Sequence, residues 1–479
     1  MLLNPIDFGD NPYLVGPHAP VRKELDKPSL KYVGQVPKDF SGIYLRNGPN
    51  QIHPPCGTYH WFDGDGMVHG VEFREGRVNY RNRWINTAGL KQEQKTGHSL
   101  WPGLMDPPNR SLQEAWGSDL CLKDNSNTDL TIHGGKAIST FYQCGEAYTL
   151  DPLSLETLGT LDLLSGGGRQ MSAHCMTDEQ SGDLLFFDYA TKPPYMTYGV
   201  FDKDANLVHH TAIDLPGARL PHTLAFTTNY SILMDLPMFW DPELLQKDVH
   251  KVSFYPDKAS RFGLITRFGQ GDSIKWFEAD PCYIYHAINS WEEGDMVVLD
   301  VCRMSTPVPS EAKKQKLAGP YGSMLAWLKL DASYHRYRFN LVSGETKEES
   351  LSDLLSEFPV INNRFGGLSS RYSYHVTLAD TDAILFDGLV KIDSETTQNQ
   401  EYKFPKGCFG SESQFAPRDN AKNEDDGYLI TLVTNMETNK GEIQIFPAED
   451  LTQGPICRVI VPQQIPPGFH SSFVLPENL

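Results

Sequence analysis

Apolar and polar residues alternate along this chain in short runs, and turn-forming residues close each run. Gly42-Ile43-Tyr44-Leu45-Arg46 reads as a strand and Asn47-Gly48-Pro49-Asn50 as the turn that ends it. Phe62-Asp63-Gly64-Asp65-Gly66 reads as another turn. A strand over 67–73 follows, and Glu75-Gly76-Arg77 leads into Val78-Asn79-Tyr80, a hairpin signature. Similar units recur at Ile132-His133-Gly134-Gly135-Lys136, at Leu184-Leu185-Phe186-Phe187-Asp188 and at Gly427-Tyr428-Leu429-Ile430-Thr431. Helical periodicity is nearly absent. The pattern predicts an all-β fold, and its recurrence over most of the chain favours a β-propeller over a string of sandwiches. Residues 1–40, Pro-rich and irregular, suit an N-terminal arm wrapping the body, and no linker divides 1–479, so one domain is expected.

Two stretches interrupt the strand pattern, 95–120 with Trp101-Pro102-Gly103-Leu104-Met105 and 236–252 with Met238-Phe239-Trp240 and Leu244-Leu245. Exposed, they would form an apolar patch for membrane contact or ligand access. Packed on the propeller rim, they would be ordinary core. Both readings stand at this level.

Composition narrows the function classes. Of 479 residues, 39% are hydrophobic and 11% aromatic, ample for a large core. A formal charge of −19 argues against binding nucleic acid or an anionic membrane by electrostatics. The eight cysteines, at 56, 121, 144, 175, 282, 302, 408 and 457, form no C-x-x-C pair and read as reduced, mostly buried thiols of a cytoplasmic protein. The N-terminus lacks a signal-peptide pattern, and no apolar run is long enough to span a bilayer.

The candidate chemistry lies in histidines at the edges of strand-like runs: His174 in Ser172-Ala173-His174, His222 in Leu220-Pro221-His222, His286 in Tyr285-His286-Ala287, and His470 in Phe469-His470-Ser471. Successive separations of 48, 64 and 184 residues match no local metal motif. They do suit a radial fold in which successive units each direct one side chain at a common axis. A metal-bound imidazole usually gives its second N–H to a carboxylate, and Glu357 and Glu412 sit at the starts of apolar segments, odd places for a solvated acid. Competing motifs fail. Asp63-Gly64-Asp65-Gly66 has Met67 where a calcium ligand should follow, and neither a Walker loop nor a G-x-S-x-G elbow occurs.

Tyr44-Leu45-Arg46-Asn47-Gly48-Pro49-Asn50, the segment 62–69, Ser172-Ala173-His174, His286-Ala287-Ile288-Asn289, Glu357-Phe358-Pro359 and Glu424-Asp425-Asp426-Gly427-Tyr428 together resemble the carotenoid cleavage oxygenase family, from about Pro20 to His470. That family includes carotenoid, apocarotenoid and lignostilbene dioxygenases and the retinal pigment epithelium isomerase. The resemblance implies a seven-bladed β-propeller, capped by loops and short helices that enclose an apolar tunnel. It implies one iron(II) per chain on four histidines matching His174, His222, His286 and His470, with Glu357 and Glu412 behind them. Thr128 matches a threonine that in relatives shields an open iron position. Dioxygen would be the co-substrate, and a conjugated double bond would split into two carbonyl products.

Two departures stand out. Relatives carry a third glutamate in the strand matching 136–149. Counting back from Asp151-Pro152 puts it at Gln143 and counting forward from Gly135-Lys136 at Tyr142; Glu146 comes too late. The expectation is that one histidine meets a neutral amide. The second departure is Thr223, where many relatives have Asp. For substrate, the tyrosine and lysine that hold a phenol in lignostilbene dioxygenases fall near Leu104 and at Phe141 or Tyr142, so both grips are missing. That favours a carotenoid or apocarotenoid over a stilbene, with Phe141, Tyr142, Tyr283 and Tyr285 stacking along it. A monomer is expected, with peripheral membrane contact as an option for a lipid-dissolved substrate. A non-catalytic propeller scaffold is the alternative of another class.

Overall fold

The computed structural model describes residues 9–106, 116, 122–163, 168–247, 250–308 and 330–478. Seven antiparallel sheets ring a common axis as the blades of a propeller. Blade 1 runs outward from Ser471–Val474 through Gly42–Pro49, Gly66–Arg74 and Arg77–Trp84 to Asp26–Lys27. Blade 2 starts at Asp129–His133, and blades 3 to 6 start at Met176–Thr177, Ala225–Phe226, Tyr283–Glu293 and Ser356–Val360. Blade 7 is built on Gly427–Asn435, which pairs with Ser413–Pro417 on its inner side.

Local sequence explains where each strand lies. Arg77–Trp84 alternates buried Val78, Tyr80, Asn82 and Trp84 with more exposed Arg77, Asn79, Arg81 and Arg83, the period of a strand with one wet face. Leu184–Tyr189, apolar on nearly every position, is buried throughout because neighbouring blades cover both of its faces. The ring is closed twice. Ser471–Val474, at the chain's end, pairs with Gly42–Pro49 near its beginning. Tyr32–Gly34 of the N-terminal arm adds an outer strand to blade 7 beside Cys457–Val461.

One reading of the pattern is corrected. Asn47-Gly48-Pro49 is not a turn: the strand continues through Pro49. The Asn47 backbone pairs with His470 and Phe469, and its side chain donates to the Ser126 carbonyl and Ser139 Oγ. These tertiary partners outweigh turn propensity. Of the two readings open for 236–252, packing holds at Met238–Trp240, which pairs with Val252–Phe254 and is buried, while Leu244 and Leu245 are half-buried. Of the other insertion, residues 107–115 and 117–121, including Cys121, lie outside the described residues, as do 248–249 of the second. Trp101 is buried. Cys56 is exposed, and Cys144, Cys175, Cys282, Cys302, Cys408 and Cys457 are buried, all as free thiols. Among the described residues no helix is long and apolar enough to cross a membrane.

Candidate metal centre

The innermost strands bring their ends together at the axis. His174 precedes Met176–Thr177 of blade 3 in a left-handed backbone conformation, φ 62°, uncommon for a residue with a Cβ. His222 lies just before blade 4, and His286 at an irregularity of the blade 5 strand between Ile284 and Ala287. His470 immediately precedes the strand that closes blade 1. All four are buried. The His174 ring lies 4.7 Å from that of His222, 5.0 Å from His286 and 4.4 Å from His470, centroid to centroid. Ligating atoms of His174, His222 and His286 lie within 4.8 Å of one another.

Outer partners fix the rings. His286 Nδ1 donates to Glu357 Oε2 at 2.5 Å, and His470 Nδ1 donates to Glu412 Oε1 at 2.9 Å. A carboxylate at Nδ1 puts the proton there and leaves Nε2 as the free lone pair. Nε2 of His286 and of His174 are buried without a hydrogen-bond partner. Burial holds the imidazole of His470 neutral, its pKa down at about 3, and drives those of His174 and His222 well below the ordinary range. Burial likewise pushes the Glu412 carboxyl up to about 8, against the Ser471 N–H that it accepts. A cluster of four buried imidazoles, two with unpartnered Nε2 atoms and two backed by carboxylates, has the donor set of a divalent metal site. The residues fit the group that the family resemblance implies.

The site meets two spaces. One is a narrow apolar gap of about 30 Å³ against His222, His286 and His470, walled by Trp61, Phe62, Tyr142, Tyr285, Phe358 and Phe469, with Thr128 also on its surface. Thr128 Oγ1 donates to Asn127 Oδ1 and accepts the Tyr142 N–H. The other is a polar cavity of about 700 Å³ that reaches His174, His286 and His470 from the side of the Gly134-Gly135 turn. Thr223 lines it, with its hydroxyl on the Leu224 carbonyl.

Of the tunnel candidates, Tyr142 and Tyr285 line the apolar gap. Phe141 and Leu104 pack with Tyr142 in a neighbouring cluster, and the Tyr283 hydroxyl donates to the Leu220 carbonyl, one layer behind Tyr285. Gln143 is buried and hydrogen-bonds the Tyr142 side chain. Among the described residues His222 has no partner on Nδ1; its ring is flanked by Tyr142 at 5.4 Å and by Tyr285, edge-on, at 4.7 Å. Sequence reading missed Asp129. Its carboxylate accepts the His174 N–H at 3.0 Å and lies 3.6 Å from His174 Nδ1. The available signal was an acid opening an inner strand, next to Thr128.

A family profile described as "Retinal pigment epithelial membrane protein" matches residues 18–475. The chain belongs to the carotenoid cleavage oxygenase family. It is an oxidoreductase, and its relatives divide by substrate. It is 32% identical to a Crocus sativus carotenoid 9,10(9',10')-cleavage dioxygenase, over 98% of this chain and 90% of the relative. It is 28% identical to a Pseudomonas nitroreducens isoeugenol monooxygenase, over 97% and 98%. In fold it is similar to the Pseudomonas brassicacearum lignostilbene dioxygenase crystal structure, with a TM-score of 0.84, 24% identity, and 98% and 100% of the two chains covered.

Proposed function

We propose that this oxygenase is a non-haem iron(II) dioxygenase that cleaves a conjugated carbon–carbon double bond of a carotenoid or apocarotenoid to two carbonyl products. His174, His222, His286 and His470 would hold one iron per chain. The observation that carries the reading is the meeting of four buried imidazoles with an apolar gap walled by aromatic side chains. An interaction scaffold has no use for buried imidazole lone pairs left without partners, which cost stability.

Iron(II), when bound, supplies the activation of dioxygen. The chain's own residues do the rest. Glu357 and Glu412 hold the protons on Nδ1 of His286 and His470, fixing ring orientation. Phe62, Tyr142, Tyr285 and Phe358 offer flat apolar faces to a conjugated chain and exclude water from the reacting bond. Thr128 presents its methyl-bearing side chain to the same gap while its hydroxyl is engaged elsewhere. Both atoms of dioxygen end in the two carbonyls, so the balance needs no acid or nucleophile from the protein.

A second reading is cleavage of a small aryl alkene. The gap of about 30 Å³ supports it, since a long polyene must part the aromatic walls to enter, as does the isoeugenol monooxygenase relative. The test is aerobic incubation of iron(II)-loaded protein with an apocarotenal, a full-length carotenoid, isoeugenol and a hydroxystilbene, followed by mass spectrometry. Polyene-derived aldehydes or ketones support the first reading and locate the bond. Benzaldehyde-type products alone would replace it with the second.

A further inference from the structure

Seven blades bring seven polar side chains to the axis, one each: His470, Asp129, His174, His222, His286, Glu357 and Glu412, in blade order from 1 to 7. Three of the four histidines face a carboxylate from an adjacent blade. Glu357 of blade 6 faces His286 of blade 5, and Glu412 of blade 7 faces His470 of blade 1. Asp129 of blade 2 faces His174 of blade 3. Among the described residues, His222 alone faces none.

We propose that Asp129 is a positioning residue that supplies the third carboxylate of the histidine centre through His174, replacing the glutamate missing from the strand after Gly135-Lys136. This rests on the metal reading above. Asp129 is held firmly: Oδ1 accepts the Leu130 N–H at 2.7 Å and Oδ2 the His174 N–H at 3.0 Å. The second bond secures the left-handed turn that aims the His174 ring. The same Oδ2 lies 3.6 Å from Nδ1, too long for a hydrogen bond. Its action on the ring is therefore electrostatic, through a buried and weakly screened space.

The relocation has a physical logic. Tyr142 and His222 both line the apolar gap, so a carboxylate at Tyr142 would put charge in the wall that must accept an apolar molecule. Asp129 lines the polar cavity on the other side of the ring cluster. Moving the acid keeps three carboxyl groups around the centre and leaves the substrate side apolar.

The test compares the full-length native chain with Asp129→Asn, Tyr142→Glu and the double variant, each loaded with cobalt(II) and titrated against a competing chelator. Asp129→Asn loses the charge and, having one side-chain oxygen in place of two, keeps an acceptor for only one of the two backbone N–H groups. It is expected to weaken cobalt binding about 10–100-fold with the visible cobalt spectrum shifted, and the metal-free melting temperature reads the cost of the lost backbone bond separately. Tyr142→Glu is expected to shift affinity by less than about threefold in the native background, yet to recover about tenfold in the Asp129→Asn background. Cobalt affinity of Asp129→Asn within about threefold of native, or no recovery on adding Tyr142→Glu, overturns the proposal, because a residue that only pins the turn gains nothing from a carboxylate placed elsewhere. If Asp129→Asn does not fold, Tyr142→Glu alone decides: tightening of about tenfold or more would mean the centre lacked a carboxylate, against the proposal. A native chain that binds no cobalt removes the metal reading and this inference with it. A native chain that binds, beside an unaffected Asp129→Asn, removes only the role of Asp129.

Discussion

Glu357 Oε2 lies 2.5 Å from Nδ1 of His286, across 71 residues of sequence and one blade boundary. The carboxylate is fully buried and also accepts the Phe358 N–H at 2.6 Å, so its position is set from two sides. Glu357→Gln keeps the size and loses the charge. It is expected to weaken iron(II) or cobalt(II) binding about 10–100-fold, as loss of an outer carboxylate typically does. Chelator competition checks this, and an affinity equal to native would mean that Glu357 serves packing alone.

Gly468, two residues before His470, lies against the buried guanidinium of Arg46. A Cβ there would come within 2.5 Å of Arg46 Nη1. Arg46 cannot easily yield, because Nη1 donates to the Pro466 carbonyl at 2.8 Å and to Ser411 Oγ at 3.2 Å. Gly468→Ala is therefore expected to destabilise the fold by about 1–3 kcal/mol through overpacking. It should also lower metal content by displacing His470. Urea unfolding and metal analysis of the purified variant read the two effects separately.

The buried ammonium of Lys123 bonds Asp65 and, at 2.6 Å, Glu93; both acids are buried. This cluster ties the helix Ala88–Thr96 to the start of the Gly66–Arg74 strand of blade 1. Lys123→Met leaves two acids in a dry site without their cation. The expected loss is about 3–5 kcal/mol in unfolding free energy. A loss below about 1 kcal/mol, the range of an exposed pair, would contradict this description of the cluster.

His18, on the N-terminal arm, contacts the Ile384 carbonyl through Nε2 at 3.1 Å and packs edge-on against Tyr13 and Trp61. Burial lowers its pKa to about 4. The unfolded chain takes up this proton near pH 6.5, whereas the folded chain resists until about pH 4, so this site loses stability as pH falls through that window. The loss sums to about 3 kcal/mol. His18→Gln should be less stable than native at pH 7, with the gap closing as pH drops from 6.5 towards 4.5. Urea midpoints at several pH values give the answer, and a constant gap would mean that His18 titrates normally.

Much of the architecture was legible because strand alternation is a local property. The Glu75-Gly76 hairpin follows from residues adjacent in sequence. Asn47-Gly48-Pro49 misled because turn propensity is also local, whereas the pairing that overrides it comes from Phe469 and His470 at the far end of the chain. Met238-Phe239-Trp240 likewise offered two readings until its hairpin partner Val252–Phe254 covered it.

The sequence by itself determined the strand-rich pattern, the candidate histidines and the two glutamates, since each depends on residue type and on neighbours along the chain. Only the tertiary structure decided which acid faces which imidazole, that His222 meets aromatic rings, and that Asp129 stands beside His174. The reason is geometric. Each of these pairs joins different blades, and the distance between blade ends is set by ring closure, which no stretch of sequence encodes alone.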